Sequence, residues 1–170
     1  MDERAFKDAY RAVSPLACPF EKAVLICQCA CRESRRVNIA ERVTVNCLDE
    51  RAQGDCTLLL GLLRRNAAFA LKLTHAGEPR PHAKDVKVQC GGLRGLQGVL
   101  RPELAAEAGV ADIHDLVTEA QARFGSLQAL PYSEIVRGGG WFPGEEAVGT
   151  QPVVFVRARP VRRNCRRKRP

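Results

Sequence analysis

Hydrophobic residues recur every three or four positions along much of this chain, which is the spacing of one face of an α-helix. The first long stripe begins after a proline and predicts a helix over about residues 19–35. Asn38 followed by Glu41 has the arrangement of a capping box. The sequence therefore predicts a second, short helix over about residues 39–47.

Two further helices are predicted from their polar starts and apolar faces. Asp55 precedes a long stripe of leucine and alanine, so we predict that it caps a long helix. Asp112 precedes the most clearly amphipathic stretch of the chain, and Gly125 follows that stretch as a stop signal.

Three stretches depart from the helical spacing. Residues 86–90, VKVQC, alternate between apolar and polar and predict a short strand. Residues 90–98, CGGLRGLQG, hold four glycines, so we predict a turn or tight packing there instead of regular structure throughout. The triple glycine at 138–140 predicts a hinge.

The fold class that these patterns predict is mainly α, a small helical bundle with at most a short β element. We expect one helical domain over residues 1–137, with a cysteine-rich part over 18–90. Residues 138–170 are expected to form the glycine hinge and a flexible, arginine-rich tail.

Composition places the chain among globular proteins. Of its 170 residues 45% are hydrophobic, which is enough for a folded core. No run approaches the roughly 18 apolar residues of a membrane span, and the N-terminus lacks the apolar segment of a signal peptide. We therefore expect a cytoplasmic protein without membrane contact.

In a reducing compartment its eight cysteines favour metal or thiol chemistry over structural disulfides.

The net charge of +8 comes from the C-terminus. Eight of the 27 lysines and arginines lie within residues 157–169, and the remaining 19 balance the 19 acidic residues. Such an arm can dock an acidic protein partner or hold nucleic-acid phosphate without reading sequence. The tail residues that we expect to contact phosphate are Arg162, Arg163, Arg166, Arg167, Lys168 and Arg169.

Four cysteines converge if the two N-terminal helices fold back on one another. Cys27 and Cys31 are four residues apart and share one helix face. Cys47 lies about as far after the predicted turn as Cys27 lies before it, so both would lie at the same height. Cys56 follows after a short loop and would lie at about the same height as Cys27 and Cys47. Four converging thiols are what tetrahedral zinc or an iron–sulfur cluster requires.

The choice among the N-terminal thiols stays open. Cys29 points away from the shared face and joins the site only if the helix unwinds there. Cys18 is a less favoured ligand because ~13 Å of intact helix would separate it from Cys27, and Cys90 could be an extra one. The predicted metal ligands are Cys27, Cys29, Cys31, Cys47 and Cys56.

We hypothesise a metal-thiolate protein with an iron–sulfur cluster, serving electron transfer or the assembly of a redox enzyme. The chain has more thiols than one zinc ion needs and only three histidines, which favours the cluster. The alternatives are a nucleic-acid- or ribosome-associated module stabilised by zinc and gripping phosphate with the tail, and a thiol redox sensor. No residue pattern predicts a catalytic site.

Overall fold

The computed structural model describes residues 10, 14–39, 41–68, 81–104 and 109–139, and within these ranges the chain is mainly α-helical. Five α-helices, one short 3-10 helix and one two-stranded sheet form the regular structure of this part. The predicted fold class is therefore confirmed. In chain order the elements are α1 (Glu21–Leu25), β1 (Ser34–Ile39), β2 (Arg42–Cys47), α2 (Glu50–Ala67), α3 (His82–Leu100), α4 (Ile113–Phe124), the 3-10 helix (Leu127–Ala129) and α5 (Tyr132–Gly138).

A β-hairpin occupies the place of the short helix predicted over residues 39–47, so that prediction is wrong. β1 and β2 pair antiparallel along their whole length. Both strands are rich in β-branched residues, which favour a pleated, half-buried surface. Val45 is buried and Val43 exposed, and Asn38 lies inside β1 instead of capping a helix.

The helix predicted over residues 19–35 is wrong beyond Leu25. The chain turns there, and Cys27 adopts a left-handed backbone with φ 58°. Ala30 then exchanges two backbone hydrogen bonds, both 2.9 Å long, with the segment 110–113. These bonds to a distant part of the chain take the place of helical ones, so tertiary pairing overrides the helical spacing.

The strand predicted over residues 86–90 is also wrong, because these residues and the glycine-rich run 90–98 belong to the single helix α3. Of the two roles predicted for the glycines, the structure shows close packing. A Cβ on Gly95 would overlap the backbone carbonyl oxygen of Ile135 in α5. The helical cost of glycine, roughly 1 kcal/mol each, is offset here by the contact that a missing side chain permits.

The predicted boundaries of α4 are confirmed, whereas α2 begins earlier than predicted. Asp112 accepts a hydrogen bond from the His114 backbone N–H at the start of α4, and Gly125 ends that helix with φ 78°. In α2 the N-cap is Asp49, whose carboxylate accepts from the Ala52 N–H at 2.6 Å.

The hydrophobic core lies between α2, α3, α4 and α5 and is closed on one side by α1 and β2. Among its fully buried side chains are Phe20, Leu59, Leu93, Leu116 and Ile135. Of the helices in the described ranges, none has the length and apolar character to cross a lipid bilayer.

A buried carboxylate joins three of these helices. Asp85 at the start of α3 is paired with Lys22 of α1 at 2.7 Å and with Arg64 of α2 at 2.9 Å. Gln89, one turn further along α3, also donates to Asp85 and accepts from the Ala23 backbone N–H. Burial alone would raise the pKa of Asp85, but the hydrogen bonds and charges of its two cationic partners outweigh burial and lower that pKa.

We expect Asp85→Ala to lower the free energy of unfolding by about 2 kcal/mol, because it leaves two cations without their carboxylate partner. The loss is no larger because Lys22 and Arg64 keep partial access to water. Since the folded-state pKa is depressed, the stabilisation is complete above the ordinary carboxyl pKa and is lost as the pH falls below about 4. Urea titrations at pH 7 and pH 3 measure both effects. Asp115→Asn, which removes an exposed pair with Arg32, is the control and should cost less than about 1 kcal/mol. Equal losses from the two variants would contradict this role for Asp85.

Candidate thiolate site

Four free thiols are grouped beside the sheet and the first turns of α2, and we call them the four-thiol cluster: Cys18, Cys31, Cys47 and Cys56. The pKa values of two of these thiols, Cys56 and Cys18, reflect this grouping. Burial, and then the charges of the other three thiols, raise the pKa of Cys56. Burial together with Cys31 and Cys47 acts on Cys18 in the same direction.

Strand pairing brings the first and third thiols together. The Cys18 N–H donates to the Val45 carbonyl at 2.8 Å, and the Cys47 N–H donates to the Leu16 carbonyl at 2.7 Å. Residues 16–18 therefore lie antiparallel beside β2, on the edge away from β1.

The loop before β1 and the inner face of α2 supply the other two thiols. Ser34, the first residue of β1, lies opposite Cys47 in the hairpin register, and its hydroxyl donates to the Cys31 carbonyl at 2.7 Å. Cys56 is buried in the second turn of α2, one helical turn before the core residue Leu59.

Burial keeps most of these thiols neutral when nothing positive is bound. It is the largest influence on Cys18, whose pKa rises to about 12. Burial is also the first cause of the raised pKa of Cys31. A thiolate at either position therefore needs a strong compensating charge, which a bound metal supplies.

Backbone N–H groups already face two of the sulfurs. The Phe20 N–H lowers the pKa of Cys18, in opposition to burial. The N–H groups of Glu33 and His114 act on Cys31 in the same way, and His114 lies in the first turn of α4. Such donors stabilise a thiolate, and hydrogen bonds to the sulfurs tune metal–thiolate centres.

The four sulfurs of the cluster are donors of the kind that zinc and iron–sulfur centres use. Within the ranges that the structure describes, no three or more His, Cys, Asp or Glu side chains are placed so that they could hold a metal ion. The Cys47 thiol donates to the Asp49 carbonyl at 3.1 Å.

Three of the five predicted ligands lie in the four-thiol cluster and two lie elsewhere. Cys31, Cys47 and Cys56 are in it. Cys27 lies in the exposed turn after α1, where Arg36 approaches its sulfur at 3.6 Å, and Cys29 is turned towards α3.

The sequence prediction disfavoured Cys18, which the structure places inside the cluster. The distance argument against it assumed an intact helix between residues 18 and 27, and that helix ends at Leu25. The sequence did contain a signal for the correct geometry. β-Branched residues alternate in RVNIAERVTV, which is typical of a hairpin, and a hairpin would have placed Cys47 beside the start of β1.

Cys29 forms a second thiol pair with Cys90 of α3. Both residues are almost entirely buried, at 5% and 8% exposure. The influence of the Cys90 thiol and then burial raise the pKa of Cys29, whereas the influence of the Cys29 thiol and of the nearby Arg94 guanidinium lowers the pKa of Cys90.

The predicted phosphate-binding residues of the tail, 162–169, lie outside the described residues, as does Cys165. Their role stays a prediction.

Comparisons of the chain with protein families, curated proteins and solved structures give no match. The four-thiol cluster is the feature of the described residues that points to a function.

Proposed function

We propose that the chain is a metal-thiolate protein that holds an iron–sulfur cluster through Cys18, Cys31, Cys47 and Cys56. The observation that carries the proposal is that strand pairing and the first turns of α2 bring four free thiols together beside the sheet. Four cysteine ligands are the usual set for [2Fe–2S] and [4Fe–4S] centres.

The supply of thiols supports an iron–sulfur cluster over a single zinc ion. The chain has eight cysteines, more than one zinc ion needs, and only three histidines. The N–H groups directed at Cys18 and Cys31 also fit this proposal, because they would offset the charge of the thiolates.

Bound here, a cluster would supply reversible one-electron storage. Cys18, Cys31 and Cys47 are only half-buried, so one side of the site lies near the surface, where a redox partner can approach. Electron transfer, or assembly of a larger redox enzyme, is the role that this arrangement supports. The partner would be an acidic protein that the basic tail binds.

Metal and sulfide analysis of the full chain, purified without oxygen, tests the proposal. We expect iron and acid-labile sulfide together, with a brown colour and absorption near ~400 nm. After reconstitution with iron and sulfide, the apo-protein should regain this absorption. A colourless protein that contains stoichiometric zinc and takes up no iron would contradict the cluster and favour the zinc-stabilised module.

A further inference from the structure

A cleft of about 260 Å³ lies between α3 and the turn that follows α1. Ile26 and Gln28 of that turn line one side of it, and Val86, Lys87 and Arg94 of α3 line another. Lys87 and Arg94 are two helical turns apart on one face of α3, so their long side chains reach the same space. The described lining of this cleft includes no acidic residue. The cleft is therefore a positively charged recess.

The two cations of the cleft lack a carboxylate partner. Lys22, Arg64 and Arg101 each form a salt bridge, whereas no salt bridge among the described residues includes Lys87 or Arg94. Arg94 is half-buried, and a cation that has lost part of its hydration gains free energy from an anion placed beside it. The charge of this cleft therefore favours an anionic ligand.

A hydrogen bond to Gln28 directs the Arg94 guanidinium towards this cleft. The Gln28 side-chain carbonyl accepts from Arg94 Nη2, and Gln28 lines this cleft. Arg94 Nε is buried and has no hydrogen-bond partner. A guanidinium has five N–H donors, and the described residues accept from one of them. The others remain for the oxygens of a ligand.

A larger cleft of about 470 Å³ also includes Arg94 in its lining, but it suits an anion less well. Its second cation, Arg101, is already paired with Glu119. Glu134 adds a carboxylate to the lining of this larger cleft. The smaller cleft is thus the better anion site of the two.

Apolar side chains give the smaller cleft a second requirement. Ile26 is 45% exposed, and it lines the cleft together with Val86. An inorganic anion would leave this apolar surface in water, whereas an anion joined to a small apolar group would cover it. Two cations also match the double charge of a phosphate monoester better than the single charge of a carboxylate.

We propose that this cleft binds a small phosphate monoester, with its phosphate on Lys87 and Arg94 and its organic group on Ile26. Arg94 supplies the planar donor fork that fits phosphate oxygens, and Lys87 supplies a point charge. The cleft contains none of the four proposed cluster ligands. Success or failure of this site therefore leaves the proposed function untouched.

An NMR titration of the isotope-labelled full chain with phenyl phosphate tests the proposal. We expect shifts of the backbone signals of Ile26, Gly91 and Gly139, which line the cleft, and of the Arg94 Nε–H signal. Inorganic phosphate should shift the same signals with lower affinity, because it leaves the apolar side uncovered. Ile26→Ala should reduce this preference for the ester. Tighter binding of benzoate than of phenyl phosphate would overturn the choice of phosphate.

Three variants locate the phosphate. Arg94→Gln should weaken the binding of phenyl phosphate about 10–100-fold, because charge-assisted hydrogen bonds are lost. Lys87→Gln should weaken it about threefold, because Lys87 is exposed. Arg101→Gln removes the same charge at the end of α3 and is the matched control, with binding expected to change less than about twofold.

Circular dichroism of each variant shows whether it is folded. Equal weakening by Arg94→Gln and Arg101→Gln would overturn the site, and so would unchanged binding by both Arg94→Gln and Lys87→Gln. Shifts confined to residues 157–169 in the unaltered chain would also overturn it, because phosphate would then bind the arginine-rich tail and not the cleft.

Discussion

The Cys56→Ser variant is expected to lose its iron and sulfide, because a serine oxygen replaces one of four proposed thiolate ligands at a buried position. Removing a side chain that only hydrogen-bonds to a metal ligand typically lowers metal affinity roughly 10–100-fold. Loss of a ligand itself should therefore lower the affinity by more than that. Iron and sulfide per chain, measured after anaerobic purification, are the readout. Cys47→Ser tests the same proposal at a half-buried position, where a serine should disturb the fold less than at the buried Cys56.

Matched controls for this prediction lie in the Cys29–Cys90 pair. Cys29→Ser and Cys90→Ser change equally buried thiols outside the four-thiol cluster, and both should keep their iron. Circular dichroism of all variants separates loss of metal from loss of fold. Full iron content in both Cys47→Ser and Cys56→Ser would show that the ligand set is wrong, and so would loss of iron from Cys29→Ser in a folded protein.

The Gly95→Ala variant is expected to lose about 3 kcal/mol of its free energy of unfolding. A methyl group at this position meets the backbone of Ile135, which cannot move away as the end of a flexible side chain can. α3 and α5 would have to separate, and both contribute to the core. A urea titration monitored by circular dichroism measures the change.

Gly98→Ala is the matched control in the same helix. Nothing lies within 4 Å of a Cβ built at this exposed position, so the substitution should stabilise the helix by up to about 1 kcal/mol. A small or favourable effect at Gly95 as well would mean that the contact between α3 and α5 is looser than described.

The parts of the fold that could be predicted are those that local chemistry determines. The Asp112 cap and the Gly125 stop of α4 act within a few residues, and the structure has them as predicted. The core face of α2 follows from its leucine spacing even though its start was placed at Asp55 instead of Asp49.

The parts that could not be predicted depend on distant partners. The four glycines of α3 indicate a break in the sequence. Only the folded structure shows that Gly95 allows α5, and Gly92 allows Leu63 of α2, to pack closely against this helix. The turn after Leu25 depends on hydrogen bonds with residues 110–113. The grouping of Cys31, Cys47 and Cys56 was predicted from a helical hairpin that does not exist, so three thiols that do lie near one another were combined for a wrong geometric reason. Cys18 was disfavoured by that same geometry.

The anchoring of the Cys31 loop to residues 110–113 also bears on the order of events during synthesis. All four proposed ligands leave the ribosome early, but the segment that fixes this loop is made about 80 residues later. At typical elongation rates that interval lasts roughly 4–16 s, during which the Cys31 loop exists without its final geometry. For the proposed centre, metal insertion is thus expected only after residues 110–113 have been made, and the nascent chain must be kept reduced until α4 has emerged.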